Sequence, residues 1–208
     1  MNNILFCDIE TAPGKNKPSP KEIKVPGNYR DPQKILSYQL ANIEEAYQKQ
    51  ALDSMAGEII CIGTGLLNEE PKIFRGTTEL ETLANFNRYI NELRGDWAEP
   101  IIMAGWNILS FDLPWLWRKA IKHNLRDLRG SIPKDNKHMT VDLMKIWAAE
   151  YRDYVSLDAC AKFLGIEHEG EGGNEIYGLW LAGDFEAIEN HCKRDILTTM
   201  EIYKRIYT

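Results

Sequence analysis

A short apolar segment near the N-terminus, followed directly by two acidic residues, is the feature that most constrains this chain. Residues 4–7 (Ile-Leu-Phe-Cys) are typical of a buried strand, and Asp8 and Glu10 stand at its end with one residue between them. In an extended chain, residues two apart point to the same face of a sheet. Such carboxylates repel each other, because like charges and desolvation both disfavour ionised acids. A divalent cation between them would remove that cost, and two solvated acids at a strand end are the alternative.

The order of the remaining patterns predicts an α/β fold. Further strands are predicted over residues 58–67, 72–75, 100–106 and 138–143, and amphipathic helices over residues 80–93, 112–123, 156–164 and from 184 to the C-terminus. Strands followed by strands that alternate with helices are typical of a sheet covered by helices on its faces. The 208 residues suit one domain with a full core, so we predict a single domain over residues 1–208.

The segment between the first two predicted strands, residues 13–56, is longer than the short turn usual between adjacent strands. It begins with turn-forming and basic residues, and Asp31 then offers an N-cap with Pro32 at the first helical position. Apolar residues recur at helical spacing at Leu36, Leu40, Ile43 and Tyr47. We therefore predict a helix of about 20 residues, which either packs on the domain or lies over the acidic site.

Charge and hydropathy argue against several classes of protein. A net charge of −6 is unsuited to coating nucleic acid non-specifically, because that mode relies on many Lys and Arg contacts to phosphate. It does not exclude an enzyme that grips a few phosphates. No apolar run approaches the roughly 20 residues of a membrane span, and no cleavable leader precedes the first strand. We predict a cytoplasmic protein without membrane contact, whose four cysteines are buried and reduced.

Two later motifs place acidic residues at corresponding positions. Residues 105–112 (Gly-Trp-Asn-Ile-Leu-Ser-Phe-Asp) end a predicted strand and open a helix. Asp112 therefore lies at a strand-to-helix junction, where open α/β sheets bind ligands, although Asp is also a common helix cap. In the last predicted helix, His191 and Asp195 are four residues apart and share one face. A local hydrogen bond or salt bridge is the alternative for that pair.

Taken in order, these motifs resemble the three exonuclease motifs of the DEDD (DnaQ-like) 3′-to-5′ exonuclease superfamily. They are Asp-x-Glu after the first strand, Asn-x-x-x-Phe-Asp at the later junction and His-x-x-x-Asp in the last helix. Residues 155–165 and 180–184 also resemble predicted exonucleases related to the exonuclease domain of family-B DNA polymerases. The resemblance covers the chain from Asp8 to its end. It implies an RNase H-like fold, a mixed central sheet flanked by helices, with a helical insertion after the first strand.

The resemblance further implies a metal-dependent phosphodiesterase with two Mg²⁺ or Mn²⁺ ions held by Asp8, Glu10, Asp112 and Asp195. In the family's division of roles, Asp8 bridges the ions, Glu10 and Asp195 serve the ion that activates water, and Asp112 serves the leaving-group ion. Chemistry gives the same requirement independently. Two divalent ions roughly 4 Å apart supply a hydroxide and hold charge on the departing 3′ oxygen, and carboxylates are the hard ligands that such ions prefer.

His191 departs from the family pattern. One subtype has Tyr four residues before the last Asp, and the other has His five residues before it. Here His191 stands at the Tyr spacing, and Asn190 occupies the other position. An imidazole with a pKa near neutrality can act as a general base. We therefore predict His191 as a catalytic residue, with a purely structural role as the alternative.

Substrate contacts are predicted around the acidic positions. The resemblance carries Asn107 over as a contact to the terminal nucleotides, with Thr11 as a second candidate. A stretch of basic residues with an aromatic one adjoins Asp112. One interpretation is that it binds the phosphate backbone of the substrate and stacks against a base. The other is that it is a solvated helix face. The candidates in that stretch are Trp117, Arg118 and Lys122, and Phe111, directly before Asp112, is a further candidate. The inserted segment is a further candidate for holding a single strand.

The polymerase-like branch favours the 3′ end of single-stranded DNA as substrate, 5′ mononucleotides as products, and replication or repair proteins as partners. An exoribonuclease of the same fold is the nearest alternative, and the choice depends on whether the site admits a 2′-hydroxyl. A catalytically silent nucleic-acid-binding module is another, but it would have no need of four intact carboxylates. A scaffold with ordinary surface acids is a third, and it predicts no stabilisation by divalent metal.

Overall fold

The computed structural model describes residues 3–96, 101–133, 139–149, 152–168 and 174–207. The chain divides into two compact units, one formed by Met1–Glu10 with Ile59–Thr208 and the other by Thr11–Glu58. The segment predicted as an insertion, residues 13–56, lies within the second unit. That the whole chain acts as one domain stays a prediction.

Among the described residues, five strands form one mixed sheet in the order β3-β2-β1-β4-β5. They are β1 Ile4–Ala12, β2 Glu58–Leu66, β3 Lys72–Phe74, β4 Ile102–Gly105 and β5 Thr140–Asp142. β1 runs parallel to β4, and β4 runs parallel to β5, whereas β2 and β3 are antiparallel. Phe6 is in register with Ala104, and Gly105 is in register with Asp142. The carboxyl ends of three parallel strands therefore share one edge of the sheet.

Seven described α-helices belong to the first unit. They are α3 Glu79–Asp96, α4 Asp112–Lys122, α5 Arg126–Ser131, α6 Leu143–Trp147, α7 Leu157–Leu164, α8 Asn174–Ala182 and α9 Phe185–Tyr207. The second unit contains α1 Pro32–Ala41 and α2 Ile43–Lys49, with 3₁₀ turns at Pro20–Glu22 and Gln50–Leu52. In the described part of the chain, no helix combines the length and apolar character that crossing a bilayer requires.

Alternate side chains of β1 enter two different hydrophobic cores. Leu5, Cys7 and Ile9 pack in one core, with side chains of α3 and α4. Ile4 and Phe6 pack in the other, with side chains of α8 and α9. Because side chains alternate along a strand, the even-numbered Asp8 and Glu10 continue the set that faces α9.

Glycines in β2 allow α9 to lie close against the sheet. A Cβ atom on Gly63 would stand 2.5 Å from Ile196 Cδ1 and 2.6 Å from Cys192 Sγ. A Cβ atom on Gly65 would stand 2.2 Å from Met200 Cε. These distances are shorter than packed carbon and sulfur atoms tolerate. The absence of side chains at these two positions therefore sets the depth of the helix that carries the His-x-x-x-Asp motif.

The single helix predicted in the inserted segment is wrong, because α1 and α2 are separate. As predicted, Asp31 caps α1, and its Oδ1 accepts a hydrogen bond of 2.8 Å from Gln33 N. The break falls at Asn42, whose Nδ2 donates to the carbonyl of Tyr38 at 2.7 Å. A side-chain amide that competes for backbone carbonyls favours the end of a helix. The predicted apolar stripe is not a buried one either, because Leu36 is 51% exposed and Leu40 54% exposed, and of its four members only Tyr47 is buried.

Other predicted boundaries differ by a few residues. The helix predicted over residues 80–93, with Gly95 just past its end, runs from Glu79 to Asp96 and contains Gly95, and the strand predicted over residues 100–106 begins at Ile102. Pro100 and His138, at the ends of two predicted strands, lie outside the described residues. The short helices α5 and α6 were not predicted, because six and five residues span less than two turns and give no clear periodicity.

Candidate metal centre

The first strand brings the half-buried Asp8 and the buried Glu10 to the edge of the sheet. Burial raises the pKa of Asp8 well above its ordinary value, and repulsion by Glu10 and Asp112 raises it further. Burial also raises the pKa of Glu10 well above its ordinary value, with repulsion by Asp195 adding to the shift. Each predicted acidic ligand therefore lies in the electrostatic field of another. Mutual repulsion of this kind is relieved by a cation bound among the acids.

Asp112 is tied directly to the strand that carries the first two acids. Its Oδ1 accepts a hydrogen bond of 3.0 Å from the backbone N–H of Ile9, the residue between Asp8 and Glu10. The N-cap of α4 is Phe111, and its side chain makes no capping hydrogen bond. Burial raises the pKa of Asp112 to about 8, although the Ile9 N–H opposes this shift. The contact to Ile9 favours the predicted site role over the alternative of a helix cap.

The loop before Asp112 is held by an acid that the sequence interpretation missed. Asp142, at the end of β5, is buried, and its Oδ2 accepts a hydrogen bond of 3.1 Å from Leu109 N. Its Oδ1 caps α6 by accepting from Lys145 N at 3.3 Å. Asn107 takes a left-handed conformation, with φ of 59°. An Asp that precedes a new helix is a recognisable N-cap, and that signal could have identified Asp142.

The last helix places two side chains against the acids of β1 and a third acid beside them. His191 Nδ1 lies 2.8 Å from Glu10 Oε1. Cys192 Sγ donates to Asp8 Oδ2 at 3.3 Å. Asp195 Oδ1 lies 3.9 Å from His191 Nδ1. The structure therefore brings together all five residues predicted as catalytic.

Asp195 is flanked by a second imidazole that the sequence interpretation did not identify. His168 Nε2 lies 3.9 Å from Asp195 Oδ1 and 2.5 Å from Asp158 Oδ1. The other ring nitrogen, Nδ1, lies 2.9 Å from Thr198 Oγ1. Burial and repulsion by Asp8 raise the pKa of Asp195 to about 7, while the two imidazoles oppose this rise. A single histidine outside a motif has no periodic signal, so the sequence offered no means of finding His168.

The donor set fits a hard divalent cation. One ligand atom from each of Asp8, Glu10 and Cys192 lies within 4.8 Å of the other two. In the described structure, Asp195 Oδ1 and His191 Nε2 are buried and have no hydrogen-bond partner. Buried polar atoms of this kind need a partner, and carboxylate oxygens suit Mg²⁺ or Mn²⁺. The Cys192 thiol is the one softer donor beside them.

The predicted substrate residues occupy varied environments. In the second unit, the Thr11 hydroxyl donates to the carbonyl of Ala51 at 2.6 Å. In the first unit, Asn107 is half-buried, Arg118 is exposed on α4, and Trp117 packs against the core. Phe111 packs against Trp115, with 5.8 Å between ring centroids. Contacts of these residues with a substrate stay predictions.

Part of the basic stretch neutralises a buried carboxylate. Glu79 accepts a hydrogen bond from Lys122 Nζ at 2.9 Å and contacts His123 Nε2 at 2.7 Å. Lys119, whose side chain is 1% exposed, reaches the same carboxylate at 2.9 Å. The N–H of Ile59 donates to it at 3.0 Å. Lys122, a predicted substrate contact, is therefore already bonded to a protein carboxylate.

Comparison with known sequences matches most of this chain to one family. Residues 74–208 match the model described as a predicted 3′-5′ exonuclease related to the exonuclease domain of PolB. A DNA polymerase of Archaeoglobus fulgidus is 29% identical over 153 residues, which are 67% of this chain and 19% of the polymerase. The chain therefore spans about a fifth of the length of that relative.

Comparison with solved structures identifies a DNA polymerase that shares the fold. The family B DNA polymerase from Pyrobaculum calidifontis aligns with a TM-score of 0.61 and 17% identity, over 98% of this chain and 24% of that one. Exonuclease I in complex with the inhibitor BCBP aligns over 96% of this chain and 40% of that one, with a TM-score of 0.45 and 14% identity. The likeness to the polymerase confirms the predicted RNase H-like fold, a mixed sheet flanked by helices.

Proposed function

The chain belongs to the predicted 3′-5′ exonucleases related to the exonuclease domain of PolB, and we propose that it is a divalent-metal-dependent enzyme that shortens single-stranded DNA from its 3′ end. One observation carries the proposal. Buried and half-buried carboxylates from β1, α4 and α9 meet at one edge of the sheet, and each raises the pKa of another. Such an arrangement costs stability unless it binds a cation.

Four residues would hold the ions, and they are Asp8, Glu10, Asp112 and Asp195. Two bound Mg²⁺ or Mn²⁺ ions supply a water of lowered pKa and stabilise negative charge on the leaving 3′ oxygen. The protein fixes the donors before any ion arrives. Asp112 is oriented by the Ile9 N–H, and the Asp142 carboxylate holds the loop that leads to it through Leu109 N.

His191 is proposed as the general base. When Glu10 is ionised, it can only accept a hydrogen bond, so His191 Nδ1 must be the donor in their 2.8 Å contact. The lone pair of the neutral imidazole then lies on Nε2, which is buried and lacks a hydrogen-bond partner among the described residues. A carboxylate that fixes the tautomer in this way prepares the other ring nitrogen to take a proton from water.

His168 and Asp158 are proposed as positioning residues. The His168 imidazole contacts Asp158 through one nitrogen and Thr198 through the other. These two contacts restrain the orientation of the ring that lies beside Asp195 Oδ1. Groups that orient a ligand carboxylate reduce the freedom that metal binding would otherwise have to remove. This pair would act through Asp195 without touching the substrate.

The substrate class is supported by the relatives. A DNA polymerase is among them, which favours DNA over RNA, 5′ mononucleotides as products and partners among replication or repair proteins. That support is analogy, since a fold does not dictate a substrate. Digestion of RNA beside DNA decides between a deoxyribonuclease and the exoribonuclease alternative.

The test is digestion of 5′-labelled single-stranded DNA, and of the same sequence as RNA, with Mg²⁺, with Mn²⁺ and with EDTA. Wild type is compared with Asp8→Ala, His191→Ala and the control Asp153→Asn, an exposed acid. We expect a ladder that shortens from the 3′ end, disappears with EDTA and Asp8→Ala, and is unchanged in the control. Folded wild type that cuts neither polymer would overturn the proposal and favour the silent binding module.

A further inference from the structure

The second unit contains an open groove of about 920 Å³ at the start of α1, lined by Asn28, Tyr29, Arg30, Asp31, Gln33, Lys34, Ser37 and Tyr38. Its volume is in the range, roughly 300–1,000 Å³, of sites that hold small organic groups. The lining combines two aromatic rings, two cations and three neutral polar side chains. The Asp31 carboxylate is occupied, because it caps α1 through Gln33 N.

The two rings of the groove are held against each other. Tyr29 and Tyr38 pack edge to face, with 5.3 Å between centroids and 60° between ring planes. Both side chains are only half-buried, so they keep apolar surface in contact with water. Rigid, partly exposed tyrosines cost little conformational entropy on binding and offer π-faces to a planar group.

The two cations of the groove are uncommitted. Arg30 and Lys34 are exposed and form no ion pair with any described residue. In the same unit, Lys17 is paired with Glu44 and Lys49 with Glu45, so nearby acids neutralise other cations of this segment instead. The groove lining therefore presents two cations and one carboxylate, in a chain whose net charge is −6.

We propose that this groove binds single-stranded nucleic acid, with bases stacked on Tyr29 and Tyr38 and phosphates paired with Arg30 and Lys34. Aromatic platforms beside free cations are the combination that holds single strands without reading their sequence. The choice of nucleic acid as the ligand rests on the proposed function. The aromatic and cationic lining of the groove is observed independently of that function. A duplex is disfavoured as the ligand, because its bases are stacked on each other and cannot reach the tyrosine rings.

The experiment measures binding separately from cleavage. The full chain with Asp8→Asn is titrated into labelled oligothymidylate and oligouridylate with EDTA, by fluorescence anisotropy at several salt concentrations. In this background we compare Arg30→Gln/Lys34→Gln and Tyr29→Ala/Tyr38→Ala with Tyr29→Phe/Tyr38→Phe. The matched control is Lys21→Gln/Lys24→Gln, which removes two exposed cations of the same unit outside the groove lining.

We expect the Arg30/Lys34 variant to flatten the slope of log affinity against log salt by about 1.4, at roughly 0.7 for each phosphate that is no longer neutralised. The Tyr-to-Ala variant should lose at least about fivefold in affinity per ring, and the Phe variant should retain it. The proposal is overturned if the parent does not bind, or if the groove variants bind like the parent and the control. Hydrolysis by wild type reports on the proposed function separately, so a failure of the groove proposal and a failure of the proposed function give different results.

Discussion

His191 Nδ1 lies 2.8 Å from Glu10 Oε1, and this contact joins residues 181 positions apart in the chain. It connects α9 to β1 at the edge of the sheet where the acids gather. A hydrogen bond between a carboxylate and an imidazole fixes both partners: the carboxylate is oriented and the tautomer of the ring is selected. The unusual spacing of His191 before Asp195 therefore has a physical basis in the contact with Glu10.

The first prediction separates the role of His191 as a general base from its role as a hydrogen-bond partner of Glu10. His191→Gln keeps a side chain that can hydrogen bond to Glu10 but removes the group that accepts a proton. We expect kcat to fall roughly 10²–10⁴-fold, with Mn²⁺ affinity and KM changed much less. Single-turnover kinetics together with Mn²⁺ titration by electron paramagnetic resonance measure the two effects.

Full activity in a folded His191→Gln protein would show that the imidazole is structural. A loss of metal affinity as large as the loss in rate would instead assign His191 to holding Glu10. Circular dichroism of the variant excludes unfolding as the cause of either result.

The second prediction concerns the repulsion among the acids of the metal-free protein. Asp112→Asn keeps an oxygen that can accept from Ile9 N but removes one of the mutually repelling carboxylates. We expect the metal-free protein to become more stable, because burial, and after it repulsion by Glu10, disfavours the ionised Asp112 carboxylate; Tm should rise about 2–4 °C for each kcal/mol regained. The increase in Tm caused by Mn²⁺ should shrink, because a ligand-binding group has been removed.

Thermal unfolding with EDTA and with Mn²⁺ tests both expected changes in Tm. The control is Asp153→Asn, the same substitution at an exposed aspartate. A lower Tm of Asp112→Asn in EDTA would contradict it and would make Asp112 a structural hydrogen-bond acceptor. Such a trade between stability and function is common where a site holds like charges together.

Local sequence patterns predict the strands and which acids share a face, whereas the choice of Asp8, Glu10, Asp112 and Asp195 as ligands comes from the resemblance to known exonucleases. Asp8 and Glu10 share a face because side chains alternate along a strand. His191 and Asp195 share one because residues four apart stack on a helix. Asp112 follows from the change of periodicity between β4 and α4. Each of these inferences depends only on neighbours in the chain.

What was missed depends on contacts between distant segments. His168 has meaning only through Asp158, Asp195 and Thr198, and no spacing in the sequence links them. Leu36 and Leu40 satisfy a helical stripe but remain exposed, since periodicity shows which side chains share a face and not what covers it. Helix periodicity is also a weak guide at a position such as Asn42, whose side chain competes for backbone carbonyls.

The third prediction tests the positioning pair beside Asp195. We expect His168→Gln to weaken Mn²⁺ binding about 10–100-fold, the usual effect of removing a group that orients a metal ligand. Asp158→Asn should have a similar effect, because Asp158 holds the ring through Nε2. The double variant should be little worse than either single one, since both act through the same contact.

Equilibrium Mn²⁺ binding by electron paramagnetic resonance gives the readout without requiring cleavage. Additive losses in the double variant would mean that the two residues act separately. Unchanged Mn²⁺ affinity in folded His168→Gln would leave the imidazole with a packing role only.

The fourth prediction uses the buried acid Glu79, far from the proposed metal ligands in sequence. Burial alone would raise its pKa, but hydrogen bonds from His123, Lys122, the Ile59 N–H and Lys119 outweigh burial and lower it to about 2. A carboxyl with a depressed pKa stabilises the folded state above its unfolded pKa, near 4.5. That contribution, about 3 kcal/mol, is lost as the pH falls toward 2.

Urea unfolding of wild type and Glu79→Gln over a series of pH values measures this contribution. Glu79→Gln should be much less stable at neutral pH, because Lys119 stays buried without its partner charge. The difference in free energy of unfolding should shrink as the pH falls below about 4.5, because the unfolded wild type then binds a proton at Glu79 that the folded state does not yet bind. Glu92→Gln, which changes an exposed acid of the same helix, is the matched control and should change the free energy of unfolding little. If the difference in free energy of unfolding between wild type and Glu79→Gln stays constant through the acid range, packing and not charge holds α3 and α4 together.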